Sequence, residues 1–269
     1  MVVPVSNVAT SHLVSSDTVT EGEILRTVRL RVSYDGTGFV GWQRQGKGDS
    51  VQGLLERVLS TIDGRTVTVH GAGRTDAGVH ALEQVASANI HSPIEDWKLA
   101  RALNAHLPDS IRILDVATMP DGFHARFSAT GKSYEYRIWN ARTVPPFIRL
   151  YAWHVIERLD LDAMQEASTA ILGEHDFAAY RSARSVNHTT VRTITRVGWR
   201  RGEGDLLVFD IAGTGFLRYM VRSLVGTLVE IGRGQRPPSD IADLLAAPDR
   251  AAAGRTAPPL GLFLVTVAY

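Results

Sequence analysis

The chain has 269 residues, 44% of them hydrophobic and 21% charged, a composition typical of a globular protein with one large or two small domains. It contains no cysteine, which excludes disulfides, thiolate metal ligands and thiol catalysis. The net charge of +1 means that a nucleic-acid surface must come from local clustering of basic residues. No apolar run is long enough to predict a membrane span. Residues 1–22 lack the Lys and Arg of a secretion signal, which favours the cytoplasm.

The first half of the chain alternates between strand and helix patterns. Apolar and polar residues alternate over 28–35, which predicts a half-buried strand running into a Gly-rich turn. Ser50 is a suitable N-cap for an amphipathic helix that Gly64 ends. The further predicted elements are a strand at 67–69, a strand at 83–90, a helix over 93–107, a strand at 111–116 and a long strand over 127–139.

The second half repeats this order of elements. It is predicted to contain a helix over 161–172, strands near 190–200 and 206–212, a helix over 216–231, a short helix over 239–246 and a final strand over 262–269. These groupings predict an α+β fold with two ferredoxin-like or RRM-like lobes, which share a mixed, mostly antiparallel sheet. The expected boundaries are a flexible N-terminal extension at 1–25, an N-terminal lobe at 26–145 that carries the loop at 71–81, and a C-terminal lobe at 146–269.

The loop at residues 71–81 has the composition of a functional site. Three glycines and three alanines surround one arginine, Arg74, and one carboxylate, Asp76. Glycine allows another molecule to approach the main chain closely. A neighbouring guanidinium lowers the pKa of a carboxylate and keeps it ionised, as a nucleophile or a base requires. The alternative is a tight turn with a surface ion pair, and Arg74 is equally suited to holding a phosphate.

Other classes of catalytic site are not supported. The loop has Asp76 where a dinucleotide-binding GxGxxG motif needs a third glycine, and no phosphate loop ending in Gly-Lys-Ser/Thr is present. No HExxH metal motif and no GxSxG nucleophile elbow occurs. His80 is more typical of a hydrogen-bonded structural residue than of a ligand or base.

Basic residues cluster in two segments. Residues 181–201 hold six arginines and no acidic residue. Residues 123–151 hold five basic residues against the single acidic residue Glu135, with seven aromatic residues among them. Mixed basic and aromatic surfaces suit phosphate contacts and base stacking. From these segments we predict Arg126, Lys132, Arg192 and Arg196 as RNA-binding residues.

The loop Gly73-Arg74-Thr75-Asp76-Ala77-Gly78-Val79-His80-Ala81 resembles the signature of the tRNA pseudouridine synthase A family, the TruA family. Six separated motifs support the resemblance in the family's order, and together they extend it over about residues 27–269. They are Tyr34-Asp35-Gly36-Thr37 with Gly41-Trp42-Gln43; Phe123-His124-Ala125-Arg126-Phe127-Ser128-Ala129; Lys132-Ser133-Tyr134-Glu135-Tyr136; Leu172-Gly173-Glu174-His175-Asp176-Phe177; Met220-Val221-Arg222; and Gly261-Leu262-Phe263-Leu264-Val265.

The resemblance implies isomerisation of uridine to pseudouridine at positions 38 to 40 of the tRNA anticodon stem-loop, by a homodimer and without cofactor or metal. It also implies that the N-terminal lobe carries the catalytic loop and that the active cleft lies between the two lobes. Asp76 matches the essential aspartate of the family. Arg74 matches the arginine that helps to flip the nucleotide and pairs with that aspartate, and Tyr134 matches the tyrosine that stacks on the target base. Arg222 matches the arginine that contacts the aspartate, and Leu262 matches an apolar residue of the base pocket.

Alternatives remain open at this point. Tyr134 fits a cross-strand core aromatic as well as a stacking residue. A non-catalytic RNA-binding or RNA-chaperone module would use the same basic surface, and an RNA glycosidase that releases uracil would share the nucleophile. Three features also depart from the family pattern: residues 1–25 have no counterpart, Tyr219 stands where histidine is frequent, and Glu135 replaces a basic residue found in some members.

Overall fold

The computed structural model describes residues 25–182 and 189–269. The strands of these ranges are β1 (Arg26–Tyr34), β2 (Val69–Gly71), β3 (His80–Ile90), β4 (Ile111–Met119), β5 (Gly131–Trp139), β6 (Trp153–His154), β7 (Gly173–Asp176), β8 (Val191–Arg201), β9 (Leu206–Gly213) and β10 (Leu262–Ala268). The helices are α1 (Val51–Asp63), α2 (Asp96–His106), α3 (Leu161–Thr169), α4 (Met220–Gly232) and α5 (Asp240–Ala246). The predicted N-terminal extension, except Leu25, lies outside the described residues, as does part of the basic segment 181–201.

The strands form one mixed sheet in the order β4-β1-β3-β10-β5-β9-β8-β7, with β2 paired to β3 and β6 paired to β5. Two pairings are parallel, β10 with β3 and β5 with β6, and the other described pairings are antiparallel. This arrangement confirms the predicted α+β class with a mixed, mostly antiparallel sheet. Strand β10 lies between two strands of the predicted N-terminal lobe, so the sheet continues across the predicted boundary at 145/146. The division into two lobes stays a prediction.

Helix α1 follows the local rules by which its bounds were predicted. The Ser50 hydroxyl accepts a hydrogen bond from the Gly53 N–H at 3.2 Å, and Gly64 ends the helix in the left-handed conformation with φ +73°. The buried face of the helix includes Val51, Leu55 and Leu59. Full burial of such side chains contributes about 1.5–3 kcal/mol each, so this face anchors the helix to the sheet.

Helix α4 begins at Met220, four residues later than the sequence pattern predicts. Tyr219 has φ +69° and is the one non-glycine residue of the described ranges with a positive φ. A left-handed residue interrupts the regular helical backbone, so residues 216–219 approach α4 as an irregular segment. This geometry brings Arg218 and Arg222 to the same carboxylate of the loop at 71–81.

The predicted long strand over 127–139 is also shorter in the structure. Strand β5 begins at Gly131, and residues 124–128 form a turn in which the Ser128 N–H donates to the His124 carbonyl at 2.9 Å. Within the described ranges, none of the helices has the length and apolar character needed to cross a membrane.

Candidate active site

The loop at residues 71–81 connects β2 to β3 and is packed tightly against neighbouring backbone. The Trp42 N–H donates to the Thr75 carbonyl at 3.1 Å, and a Cβ on Gly41 would lie 2.6 Å from that same oxygen. A Cβ on Gly71 would clash with the indole ring of Trp42, and Gly78 has φ +76°. At least these two loop glycines therefore serve the packing and turning of the protein's own chain.

Beneath the loop lies a buried polar network. The Tyr34 hydroxyl is 2.8 Å from Thr75 Oγ1, and Gln84 Nε2 donates to the Gly73 carbonyl at 2.9 Å. Gln84 is fully buried and Tyr34 nearly so. Burial raises the pKa of Tyr34 to about 12, so its phenol is neutral at physiological pH. These bonds fix the backbone on the N-terminal side of Asp76.

His80 fixes the other side of the loop as a neutral, hydrogen-bonded residue. Its Nδ1 lies 3.0 Å from the Gly36 nitrogen and 3.1 Å from Asp35 Oδ1, and its Nε2 lies 3.2 Å from the Leu260 carbonyl oxygen. The ring also stacks on Phe263 with a centroid separation of 4.6 Å. Burial lowers the pKa of His80 against the opposing effect of Asp35, so the ring is neutral near physiological pH. These contacts make His80 the hydrogen-bonded residue that the sequence predicts, and its purely structural role stays a prediction.

The Asp76 carboxylate lies between two arginines from the start of α4. Arg222 Nη1 is 3.2 Å from Oδ2, and Arg218 Nε is 3.4 Å from Oδ1. The side chains of Asp76 and Arg222 are 19% and 13% exposed, whereas that of Arg218 is 57% exposed. Arg222 Nε also donates to the Ala257 carbonyl at 2.8 Å, which locks the guanidinium in place. Arg222 thus meets the aspartate as the resemblance implied.

Burial dominates the electrostatics of Asp76. Desolvation raises the pKa of Asp76, and the charges and hydrogen bonds of Arg222 and Arg218 oppose this effect without cancelling it. The sequence argument considered only the neighbouring positive charge and expected a lowered pKa, so it missed the larger contribution. A raised pKa makes the ionised carboxylate a stronger base and nucleophile.

Arg74 does not form the ion pair with Asp76 that the resemblance implied. It is exposed, and the ion pairs of Asp76 within the described residues are with Arg222 and Arg218 rather than with Arg74. Sequence reasoning did not select Arg218. One signal was available, because Arg218 and Arg222 are four residues apart in an otherwise apolar segment and such spacing brings two side chains to one face.

Tyr134 and Leu262 lie on the same face of the sheet. In the β5–β10 pairing Tyr134 is opposite Leu264 and Leu262 is opposite Tyr136, and residues two apart on a strand share a face. Tyr134 is 8% exposed, and Phe216 packs edge-on against its ring at 4.9 Å. Burial, followed by the charges of Tyr34 and Asp76, raises the pKa of Tyr134, so its phenol is neutral. Tyr134 is therefore a core aromatic whose hydroxyl lies beside Gly73 of the loop at 71–81.

The four predicted RNA-binding residues occupy two regions. Lys132 precedes Tyr134 on the same face of β5, and its Cε is 3.3 Å from where a Cβ on Gly73 would lie. Its pKa is lowered by burial and by the charge of Arg126, and the described residues offer it no ion-pair partner. Arg192 and Arg196 lie on β8, where Arg192 packs beside Gly215 and Arg196 is exposed.

The arrangement places a largely buried carboxylate beside a basic surface, which is typical of an enzyme that acts on an anionic substrate. Within the described ranges, no group of three or more His, Asp or Glu residues is placed to hold a metal ion. The family model described as tRNA pseudouridine synthase matches residues 31–128 and 167–269. The chain belongs to the tRNA pseudouridine synthases.

Individual relatives agree with this assignment. The tRNA pseudouridine synthase A of Syntrophotalea carbinolica is 44% identical over 245 residues, covering 91% of this chain and 97% of the relative. That of Solidesulfovibrio magneticus is 46% identical over 248 residues and covers 90% of each chain. Among solved structures, a Cbf5-Nop10-Gar1 complex is similar with a TM-score of 0.35 at 12% identity, covering 88% of this chain and 48% of that chain.

Proposed function

We propose that this tRNA pseudouridine synthase modifies positions 38 to 40 of the anticodon stem-loop and that Asp76 is its essential carboxylate. The observation that carries the proposal is the Asp76 carboxylate, whose side chain is 19% exposed and which is paired with Arg222 and Arg218. A module that only binds RNA gains nothing from a buried carboxylate facing an anionic polymer, because such a group repels phosphate and loses hydration. Catalysis, by contrast, uses the negative charge of the carboxylate as a nucleophile or as a base.

The reaction is an isomerisation within one nucleotide. The bond between C1′ of the ribose and N1 of uracil breaks, the base turns, and C1′ bonds to C5. The proton on C5 is lost and N1 gains a proton, so atoms and electrons balance without a redox partner. An ionised Asp76 acts either as the nucleophile at the sugar or base, or as the base that assists formation of a glycal, and its raised pKa favours both roles.

Flipping the target base is assigned to the residues around Asp76. Flipping costs a few kcal/mol for unstacking and unpairing. A single aromatic stack returns about 1–3 kcal/mol, and Tyr134 beside the site is suited to supply it once the base displaces its packing against Phe216. Arg74, which is exposed and outside the Asp76 ion pairs, is free to contact the displaced nucleotide. Leu262 supplies apolar surface to the base pocket.

The wider contacts with tRNA are proposed for Arg126, Lys132, Arg192 and Arg196. Lysine and arginine contacts to phosphates release counterions and account for much of the affinity for nucleic acid. The family resemblance further implies a homodimer acting in the cytoplasm. Sedimentation of the purified protein measures the first of these expectations, and twice the chain mass is the expected result.

One assay tests the activity and the role of Asp76 together. tRNA carrying tritium at C5 of uridine is incubated with the protein, and sequencing maps the modified positions. Isomerisation of the uridines at positions 38 to 40 releases tritium to water. A glycosidase would instead release labelled uracil, and a binding module would release nothing. Asp76→Asn is expected to abolish release while tRNA binding is retained. Asp115→Asn, which alters an arginine-paired carboxylate on β4, is the matched control; full activity of Asp76→Asn would refute the assignment.

A further inference from the structure

A second aromatic surface lies outside the Asp76 site. It consists of His70, His124, Arg126 and Phe127, which we call the Phe127 platform. The rings of His70 and His124 have centroids 4.9 Å apart, and those of His124 and Phe127 are 4.4 Å apart. The Arg126 guanidinium lies 5.8 Å from the centre of the Phe127 ring. Phe127 is 78% exposed, so a large apolar ring faces solvent among basic and imidazole groups.

Hydrogen bonds fix the turn that carries Phe127, unlike a ring that is exposed only by chance. His124 Nδ1 accepts from the Arg126 N–H at 3.1 Å, and the His124 N–H donates to Ser128 Oγ at 3.1 Å. The turn is tied to the sheet because the Ala125 N–H donates to Ser87 Oγ at 3.0 Å. An arginine and an exposed phenylalanine are not needed to make a turn, and a fixed turn that holds a bare ring outward is preorganised for contact with a partner.

The platform is continuous with the catalytic loop. His70 on β2 directly precedes Gly71, the first residue of that loop. On the other side, Lys132 packs against Gly73, and Arg126 is close enough for its charge to lower the Lys132 pKa. Cationic groups therefore lie between the loop that carries Asp76 and the Phe127 ring.

We propose that the Phe127 platform binds an unpaired nucleobase of the substrate RNA, outside the nucleotide that is modified. Base stacking on an exposed aromatic ring, with arginine and lysine beside it for the phosphates, is how single-stranded RNA is held without sequence-specific hydrogen bonds. The positive charge of Arg126 and Lys132 favours RNA over an apolar protein partner at this surface. The proposal rests on tRNA as the substrate and does not depend on which uridines are modified.

Substitutions of Phe127 test the proposal through the binding of tRNA. Phe127→Ala and Phe127→Leu are expected to raise KM and Kd for tRNA by about 5- to 150-fold, the range for loss of one base–aromatic stack. We expect kcat to change by less than about twofold, because the platform does not contact the reacting atoms, and Phe127→Tyr to behave as wild type. Each variant is compared with wild type on the same uridine, so an error in the predicted positions leaves the comparison valid.

Trp97→Ala is the matched control. Trp97 is 55% exposed and lies beside two cations, Lys98 and Arg101, like the ring of the platform. It is beside the edge strand β4, since the adjacent Asp96 accepts from the Thr118 N–H at 2.7 Å, and β4 is three strands across the sheet from β2. Trp97→Ala is expected to bind tRNA as wild type does.

Three results would overturn the proposal. The first is an unchanged Kd for Phe127→Ala. The second is a Phe127→Leu variant as tight as wild type, because an aliphatic residue offers no stacking face. The third is a change in oligomeric state of Phe127→Ala in sedimentation, which would assign the surface to a second copy of the chain.

Discussion

Replacing Arg222 with glutamine tests whether this arginine keeps Asp76 ionised and in place. Arg222 and Arg218 lie at similar distances from the carboxylate, 3.2 and 3.4 Å, but their exposures of 13% and 57% differ greatly. Removing one partner of a buried pair costs about 3–5 kcal/mol, whereas an exposed pair contributes about 0.2–1 kcal/mol. The two substitutions should therefore have very different effects.

The expected size of each effect follows from burial. The Asp76 side chain is 19% exposed, so we expect the loss of Arg222 to cost about 2–3 kcal/mol, which is less than the cost for a fully buried pair. At 1.36 kcal/mol per factor of ten, Arg222→Gln should slow catalysis by about 30- to 160-fold near neutral pH. By the same conversion, Arg218→Gln should slow catalysis by no more than about fivefold.

The pH dependence gives a second readout of the same substitution. Arg222 is the largest of the influences that lower the pKa of Asp76, so its removal raises that pKa further. If the ionised carboxylate is the active form, the acid limb of the rate profile moves to higher pH, and Arg222→Gln recovers part of its activity as the pH rises.

Single-turnover tritium release with enzyme in excess over tRNA, measured on both sides of neutral pH, is the suitable assay. Arg236→Gln is the control, because Arg236 is a half-buried arginine that bonds to Glu230 and Asp240 away from the site. Its loss should affect thermal stability and leave the rate unchanged. Equal losses for Arg218→Gln and Arg222→Gln, or no loss for Arg222→Gln, would refute the reasoning.

Three further outcomes are expected. Gly41→Ala should displace the catalytic loop and reduce activity at least tenfold, because φ is +109° and a Cβ would meet the Thr75 carbonyl; Gly46→Ala, with open space around it, should be silent in the same assay. His80 is neutral in the folded chain with a lowered pKa, so stability to urea should fall as the pH drops below about 6.5, and His80→Gln should flatten that dependence; equal slopes would contradict it. Arg192→Gln should reduce the slope of log Kd against log salt by about one, with kcat as the unaffected reference.

Local sequence signals predicted the elements well where a local cause exists. Ser50 and Gly64 bound α1 through hydrogen bonding and a left-handed backbone that those residue types favour. The start of α4 was wrong because hydrophobic periodicity continues through residues 216–219, and nothing in that pattern reveals the positive φ of Tyr219. The periodicity of residues 127–139 likewise hid the turn at 124–128.

The candidate site also has some features that local sequence signals predict and others that depend on tertiary packing. Asp76 was found because its loop is unusual in composition, and Arg222 through the family resemblance. The dominance of burial over charge in setting the Asp76 pKa needed the packing of α4 against the loop, which no local pattern encodes. The exposed position of Arg74 and the pairing of Arg218 are also tertiary facts. The order of the sheet was out of reach, since β3 and β10 meet across some 180 residues of chain.

The central position of β10 has a consequence for synthesis. The ribosome makes this strand after every other described strand, yet it pairs with both β3 and β5. Until it arrives, the facing edges of β3 and β5 have no β10 to pair with, and unpaired edges are sites of misassociation in a nascent chain. A truncated product that ends before β10 would retain Asp76 and Arg222 in its sequence but lack the strand that joins the two parts of the sheet. The two parts of the sheet can therefore join only after β10 has been synthesised.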